Sequence, residues 1–227
     1  MGYLQDPAVY DAQCRRCARL ANFLISVQHQ HPGYFCKPVP PFGSEQAEVL
    51  VVGLAPGMHG ANATGRPFTG DWCSDLLYGT LYQFGFARNP QSISAQDDQE
   101  LINCRLTNAV KCLPPDNKPT SQEVAACAGF LRAEISALSP RIIVCLGAVA
   151  HDAVLKSLPL EAWGLRKNQF KFGHAAEHRV GDRLLIDSYH PSRYNTNTGR
   201  LTPEMFAAVF QKVKRYLDQS GQGAGGV

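Results

Sequence analysis

The sequence predicts an α/β protein of three layers, with a four-stranded parallel central sheet between two layers of helices. Two observations carry this. Short apolar runs alternate along the chain with longer amphipathic segments, the pattern that builds parallel strands joined by crossover helices. The strand-like runs are also continuously apolar, as at Val49, Leu50, Val51 and Val52. Continuous runs suit strands covered on both faces, whereas a half-exposed strand would alternate.

Taken in order, the first helix is expected around Pro7–Ser26 and the first strand over Glu48–Leu54. A helix follows at Trp72–Phe84, then a strand near Arg105–Val110. The next helix spans Ser121–Leu138, its start marked by Thr120 or Ser121 with Glu123 close behind. A strand at Arg141–Leu146, a helix at Ala148–Ser157, a strand at Arg183–Asp187 and a last helix at Pro203–Leu217 complete the set. Residues 1–218 then form one domain, and 219–227 read as a flexible Gly-rich tail.

Composition sets outer bounds. The chain has 227 residues, 44% hydrophobic and 18% charged, which fits one compact domain. A monomer is expected. No apolar run approaches a membrane span, and the opening MGYLQDPAVYDAQ lacks the basic and apolar regions of a signal peptide. A cytoplasmic location is expected, with no membrane partner. A formal net charge of +3 permits DNA as a partner without demanding it.

Eight cysteines in a cytoplasmic chain point to metal ligation or buried thiols more than to disulfides. Cys14 and Cys17 form C-x2-C, and Cys112 and Cys127 make a looser pair about a hundred residues later. Four thiolates from two distant segments suit either a zinc ion or an iron–sulfur cluster. Cys104 and Cys145 lie in strand-like runs and read as small buried residues.

Two polar loops follow strands. The first, within EVLVVGLAPGMHGANATGRPFTGD, carries His59, Phe68 and Asp71 on a Gly-rich backbone. It matches neither the dinucleotide fingerprint G-x-G-x-x-G nor a P-loop. The second, Ser188 to Arg200, carries His190 and follows the last strand. Parallel strands put their exits on one edge of the sheet, where ligands of open α/β sheets bind. His190, Asp71 and the region of Asn108 are therefore expected to converge.

GLAPGMHG with GRPFTGD, then LTNAVKCLPPDNKP, then HPSRYNTNTGR occur in that order. Together they resemble the motifs of the uracil-DNA glycosylase superfamily, most closely its fifth, B-type family. The resemblance covers nearly the whole chain, from Cys14 to the last helix, and implies the uracil-DNA glycosylase-like fold. It implies a [4Fe-4S] cluster on Cys14, Cys17, Cys112 and Cys127, and DNA containing uracil or other deaminated bases as substrate. The implied activity is base excision repair: a flipped-out base is cut from its sugar by hydrolysis, leaving an abasic site, near the bacterial or archaeal nucleoid.

The resemblance also implies roles. Phe68 stacks on the extruded base, and Asn108 reads its edge, an amide offering both donor and acceptor. Gly53, Ala55, Pro56 and Gly57 line the base site with His59; Asn117 is a second candidate there, or a turn residue after two prolines. His190 donates to the base carbonyl and Asp71 activates water and steadies the sugar cation, since no carboxylate lies in the A-P-G segment. Ser192, Arg193, Asn195 and Arg200 are expected on the DNA backbone. Arg166, Lys167, Lys171 and Arg179 either face that backbone too or form a solvated surface. The chain departs from related sequences at Ala63, where arginine often precedes T-G-R-P-F. A noncatalytic DNA-damage binder stapled by iron–sulfur or zinc is the alternative.

Overall fold

The structure, a computed structural model, describes residues 6–222. The elements in chain order are α1 (Ala18–Gln30), β1 (Phe42–Gly43), β2 (Val49–Gly53), α2 (Ala61–Thr64), α3 (Trp72–Gln83), β3 (Cys104–Asn108) and α4 (Ser121–Leu138). They continue with β4 (Ile142–Leu146), α5 (Ala148–Ser157), β5 (Glu177–Val180), β6 (Arg183–Ser188), α6 (Arg193–Asn197) and α7 (Pro203–Gln222).

The sheet has six strands in the order β1-β3-β2-β4-β6-β5, which corrects the expected four. The inner four are parallel, as expected. The additions are antiparallel edges, β1 against β3 and β5 against β6. Both escaped the sequence for physical reasons. The first is two residues long after Pro40 and Pro41, and the second, Glu-His-Arg-Val, is mostly uncovered and charged, as edge strands that must not aggregate tend to be.

β2, β3 and β4 are buried at every position. One face of the sheet packs Leu50, Val52, Ile143 and Leu185 against Leu20, Leu131 and Val154 of α1, α4 and α5. The other packs Val49, Val51, Val144 and Ile186 against Leu77, Leu81, Phe206 and Phe210 of α3 and α7. Three layers result. Cys104 and Cys145 are fully enclosed among these residues, matching their reading as core thiols.

The first helix begins later than the expected Pro7, at Ala18, with Cys17 as its N-cap residue. The preceding residues instead turn across the fold, Tyr10 Oη donating to the carbonyl of Pro38 at 2.6 Å. The last helix runs on through Gln222 rather than stopping at residue 217, and residues 223–227 of the expected tail lie outside the described residues. α4 begins as predicted: Thr120 accepts from the Glu123 N–H and the Glu123 carboxylate accepts from the Thr120 N–H, a reciprocal capping box.

Candidate active site

The exits of β2, β3, β4 and β6 share one edge of the sheet. Gly53 pairs with Asn108 across β2 and β3, and Leu146 with Ser188 across β4 and β6. Phe68 is brought to this edge from the loop after α2. Its ring lies so close to Gly53 that a Cβ there would collide with it and with Asn108 Oδ1. Phe68 holds a left-handed backbone at φ 53°, which a bulky residue adopts only when its surroundings impose it. Arg66 supplies part of that constraint, donating to Ser92 Oγ at 3.0 Å and to the Ala95 carbonyl at 2.9 Å while pairing with Asp97. Gly53→Ala is expected to displace Phe68 or Asn108 and to cost about 1–3 kcal/mol of stability, read from the denaturation midpoint.

Asn108 is only 4% exposed, and its Oδ1 has no hydrogen-bond partner. A buried carbonyl left unpaired costs about 1–3 kcal/mol, so the atom is open to a donor. Below it, Thr107 Oγ1 donates to Glu134 Oε2 at 2.8 Å, and Lys111 and Arg105 also bond the Glu134 carboxylate at 3.0 Å each. This fully buried network pins the end of β3 to α4.

His190 lies 6.4 Å from Phe68, centroid to centroid, and its Cβ approaches within 3.7 Å of the place a Gly147 side chain would occupy. Its carbonyl accepts from the Ser192 N–H at 2.7 Å and from Asn195 Nδ2 at 2.9 Å. Withdrawal from water pushes the His190 imidazole down to about 4, so the ring is neutral at neutral pH. The preceding end of β6 is fixed as well. Asp187 takes His151 Nδ1 at 2.7 Å, His178 Nε2 at 3.2 Å and the Gly173 N–H at 3.3 Å, and the Tyr189 N–H donates to His174 Nδ1 at 3.1 Å. The ligand atoms of His151, His178 and Asp187 lie within 4.8 Å of one another, and these hydrogen bonds already employ them.

Asp71 is the N-cap of α3, Oδ1 accepting from the Cys73 N–H at 3.0 Å. Its other oxygen lies against the opening loop, 3.2 Å from where a Gly57 Cβ would stand and against Gly60, where a Cβ would collide with the carboxyl group. Burial pushes the Asp71 carboxyl above its ordinary range, opposed by hydrogen bonds from the backbone of Cys73 and Ser74.

The remaining predicted residues are spread more widely. Pro56 is buried, Ala55 packs on the core, and the Gly57 carbonyl accepts from the Asn62 N–H at 3.0 Å. His59 is exposed, with Nδ1 2.8 Å from Tyr34 Oη and its ring edge-on to His31. Asn117 is exposed in the turn after β3, with φ 55°. Ser192 caps α6, Arg193 lies over the Trp72 ring at 5.3 Å, and Arg200 lies over Tyr189 at 4.6 Å. Ala63 sits in α2, its N–H bonded to the Gly60 carbonyl. Sequence reasoning overlooked Trp72, 51% exposed beneath the Arg193 guanidinium, and Tyr194, 70% exposed next to it in the chain. An aromatic in an otherwise polar loop, Tyr194, and one at the first position of a helix, Trp72, were the available signals.

Elsewhere, Cys14, Cys17, Cys112 and Cys127 line one cavity with Tyr10, Leu20 and Phe130. None of the four is in a disulfide. Burial first, then the charges of Cys127, Cys14 and Cys17, push the Cys112 thiol up to about 12. Thiols that oppose one another's ionisation in this way suit a shared cation.

A strained aromatic and an unpaired amide at the carboxyl edge of a parallel sheet, with a neutral histidine 6.4 Å from the aromatic and a carboxylate against the opening loop, suit a flat polar ring. Residues 40–214 match the uracil DNA glycosylase superfamily, and the chain belongs to that superfamily. It is 44% identical over 209 residues to a type-5 uracil-DNA glycosylase of Thermus thermophilus, covering 89% of this chain and 93% of that one. It is 43% identical to a type-5 uracil-DNA glycosylase of Pyrobaculum aerophilum, over 93% and 92% of the two chains. A type-4 uracil-DNA glycosylase of Archaeoglobus fulgidus is 32% identical over 68% of this chain and 70% of its own. Type 5 is the branch to which the chain belongs.

Proposed function

We propose that this chain excises uracil from DNA by hydrolysing the N-glycosidic bond, leaving an abasic site. The observation that carries the reading is the unpaired, buried Asn108 Oδ1 beside Phe68. A uracil flipped against Phe68 supplies the missing donor through N3–H, while the Asn108 Nδ2 donates to O4. His190, neutral, donates to a base carbonyl as negative charge develops on the leaving ring. Asp71 offers its free oxygen to the attacking water and its charge to the electron-poor sugar. Arg193, Arg200, Trp72 and Tyr194 face the duplex, with Ser192 and Asn195 shaping their loop.

Hypoxanthine and xanthine present the same adjacent N–H and carbonyl as uracil, so the substrate range extends to them. The test is base release from duplexes carrying uracil, hypoxanthine or xanthine opposite each normal base, followed by abasic-site cleavage. Intact protein that releases none of them leaves only a DNA-damage binder. Release of uracil alone confines the reading to one base.

The four cysteines are proposed to hold a [4Fe-4S] cluster. Among the described residues, no three of their sulfurs lie within 4.8 Å of one another, whereas a tetrahedral zinc with bonds of about 2.3 Å holds its sulfurs about 3.8 Å apart. When bound, the cluster supplies a cross-link between the N-terminal segment and the exit of β3. Cys112→Ser is expected to abolish visible absorption and bound iron in anaerobically purified protein, and to lower the melting temperature. Retention of stoichiometric zinc by the wild type would overturn this. The protein is proposed to act as a monomer in the compartment that holds the chromosome; among the described residues no helix is long and apolar enough to cross a membrane.

A further inference from the structure

The amino edge of the sheet carries a second feature. α4 and α5 both run back from the carboxyl edge, and with the segment 158–167 their far ends enclose a groove of about 970 Å³. That is the upper end of the size of small-ligand pockets and suits a length of chain. Its floor is apolar, formed by Ile135, Leu155, Leu158, Leu165 and Trp163. Its walls are cationic. Arg132, Lys156 and Arg166 are exposed there and have no ion-pair partner among the described residues. Arg183 pairs with Asp182 at 2.6 Å, but its Nε is buried with no hydrogen-bond partner. Lys167 is engaged by Asp152 at 2.8 Å, and Glu161 is the one acidic residue lining the groove.

We propose that this groove docks an acidic segment of a partner protein, aspartate- or glutamate-rich and carrying apolar side chains that enter the floor. Three free cations against one carboxylate set the sign of the ligand. The floor sets its class. A nucleic-acid strand needs phosphate contacts and open aromatic faces for its bases. Here the one floor aromatic, Trp163, is packed against Gly181 and lies beneath the Arg183 guanidinium at 5.8 Å. Aliphatic side chains fit the rest of the floor, and the free wall charges fit carboxylates. Because the groove opens at the amino edge, opposite Phe68 and His190, an occupant leaves DNA access free and holds the enzyme to its partner during repair.

The experiment uses full-length holoprotein and a fluorescein-labelled peptide in which aspartates alternate with leucines, followed by anisotropy. A control peptide carries asparagine at every aspartate. Binding is expected to the acidic peptide and to be at least about tenfold weaker for the control. The double variant Arg132→Glu/Lys156→Glu changes two exposed side chains and should weaken the acidic peptide by a similar factor, with melting temperature unchanged and uracil release within about twofold of wild type. Equal binding of both peptides, binding indifferent to the double variant, or no binding overturns the proposal. So does displacement of the peptide by a uracil-free oligonucleotide, which would make the groove part of the DNA face.

Discussion

Asp71→Asn is expected to slow single-turnover release of uracil by about 10²- to 10⁴-fold, the range spanned by positioned acid–base groups. Asparagine is the informative substitution because the side chain caps a helix and is also proposed to act in the chemistry. Asp71 Oδ1 caps α3 through the Cys73 N–H, and asparagine caps a helix about as well as aspartate. The helix therefore stays in place, and a rate loss at unchanged melting temperature isolates the carboxylate charge. The pH profile supplies a second readout. Burial raises the Asp71 carboxyl, so the wild-type rate should fall on acidification through a limb above the ordinary carboxylate range, a limb missing in the variant. A rate within a factor of a few of wild type would remove Asp71 from the chemistry.

His190→Ala is expected to lower the rate by about 10²- to 10³-fold, the loss that follows removal of one preorganised donor to a developing anion. The substrate dissociation constant should change far less, since the donor acts on charge that appears in the transition state. A linked stability effect follows from burial of the neutral ring. Its folded value of about 4 lies below the ordinary 6.5. Between those values the unfolded chain binds more protons than the folded one, so this contribution is intact above 6.5 and is lost as pH falls toward about 4. Denaturant unfolding of the wild type across that window should show the loss, and His190→Ala should lack it.

The inner sheet was legible because its strands are buried on both faces and therefore uninterrupted in the sequence. Its edge strands were not, because an edge is chosen by pairing partners and carries polar residues. The first helix was placed too early since Val9 and Tyr10 look like helix positions, but serve the fold through contacts with distant residues such as Pro38. Phe68 and Asn108 could be assigned by motif, yet not the reason they meet, which is the missing side chain at Gly53. Nor could the sequence divide the second loop into residues that build it, Ser192 and Asn195, and those left facing outward, Arg193 and Tyr194. That division depends on which carbonyls the fold leaves open.

The cavity shared by Cys14, Cys17, Cys112 and Cys127 also sets an order of events during synthesis. The first pair leaves the ribosome early, and nothing can complete the site until α4, with Cys127, has emerged. Through that interval the leading thiols stay exposed to oxidants and stray metals. Loading of the proposed cluster is therefore a late step, and under that proposal a cell short of iron would accumulate chains that have built the sheet but left their leading segment unfastened.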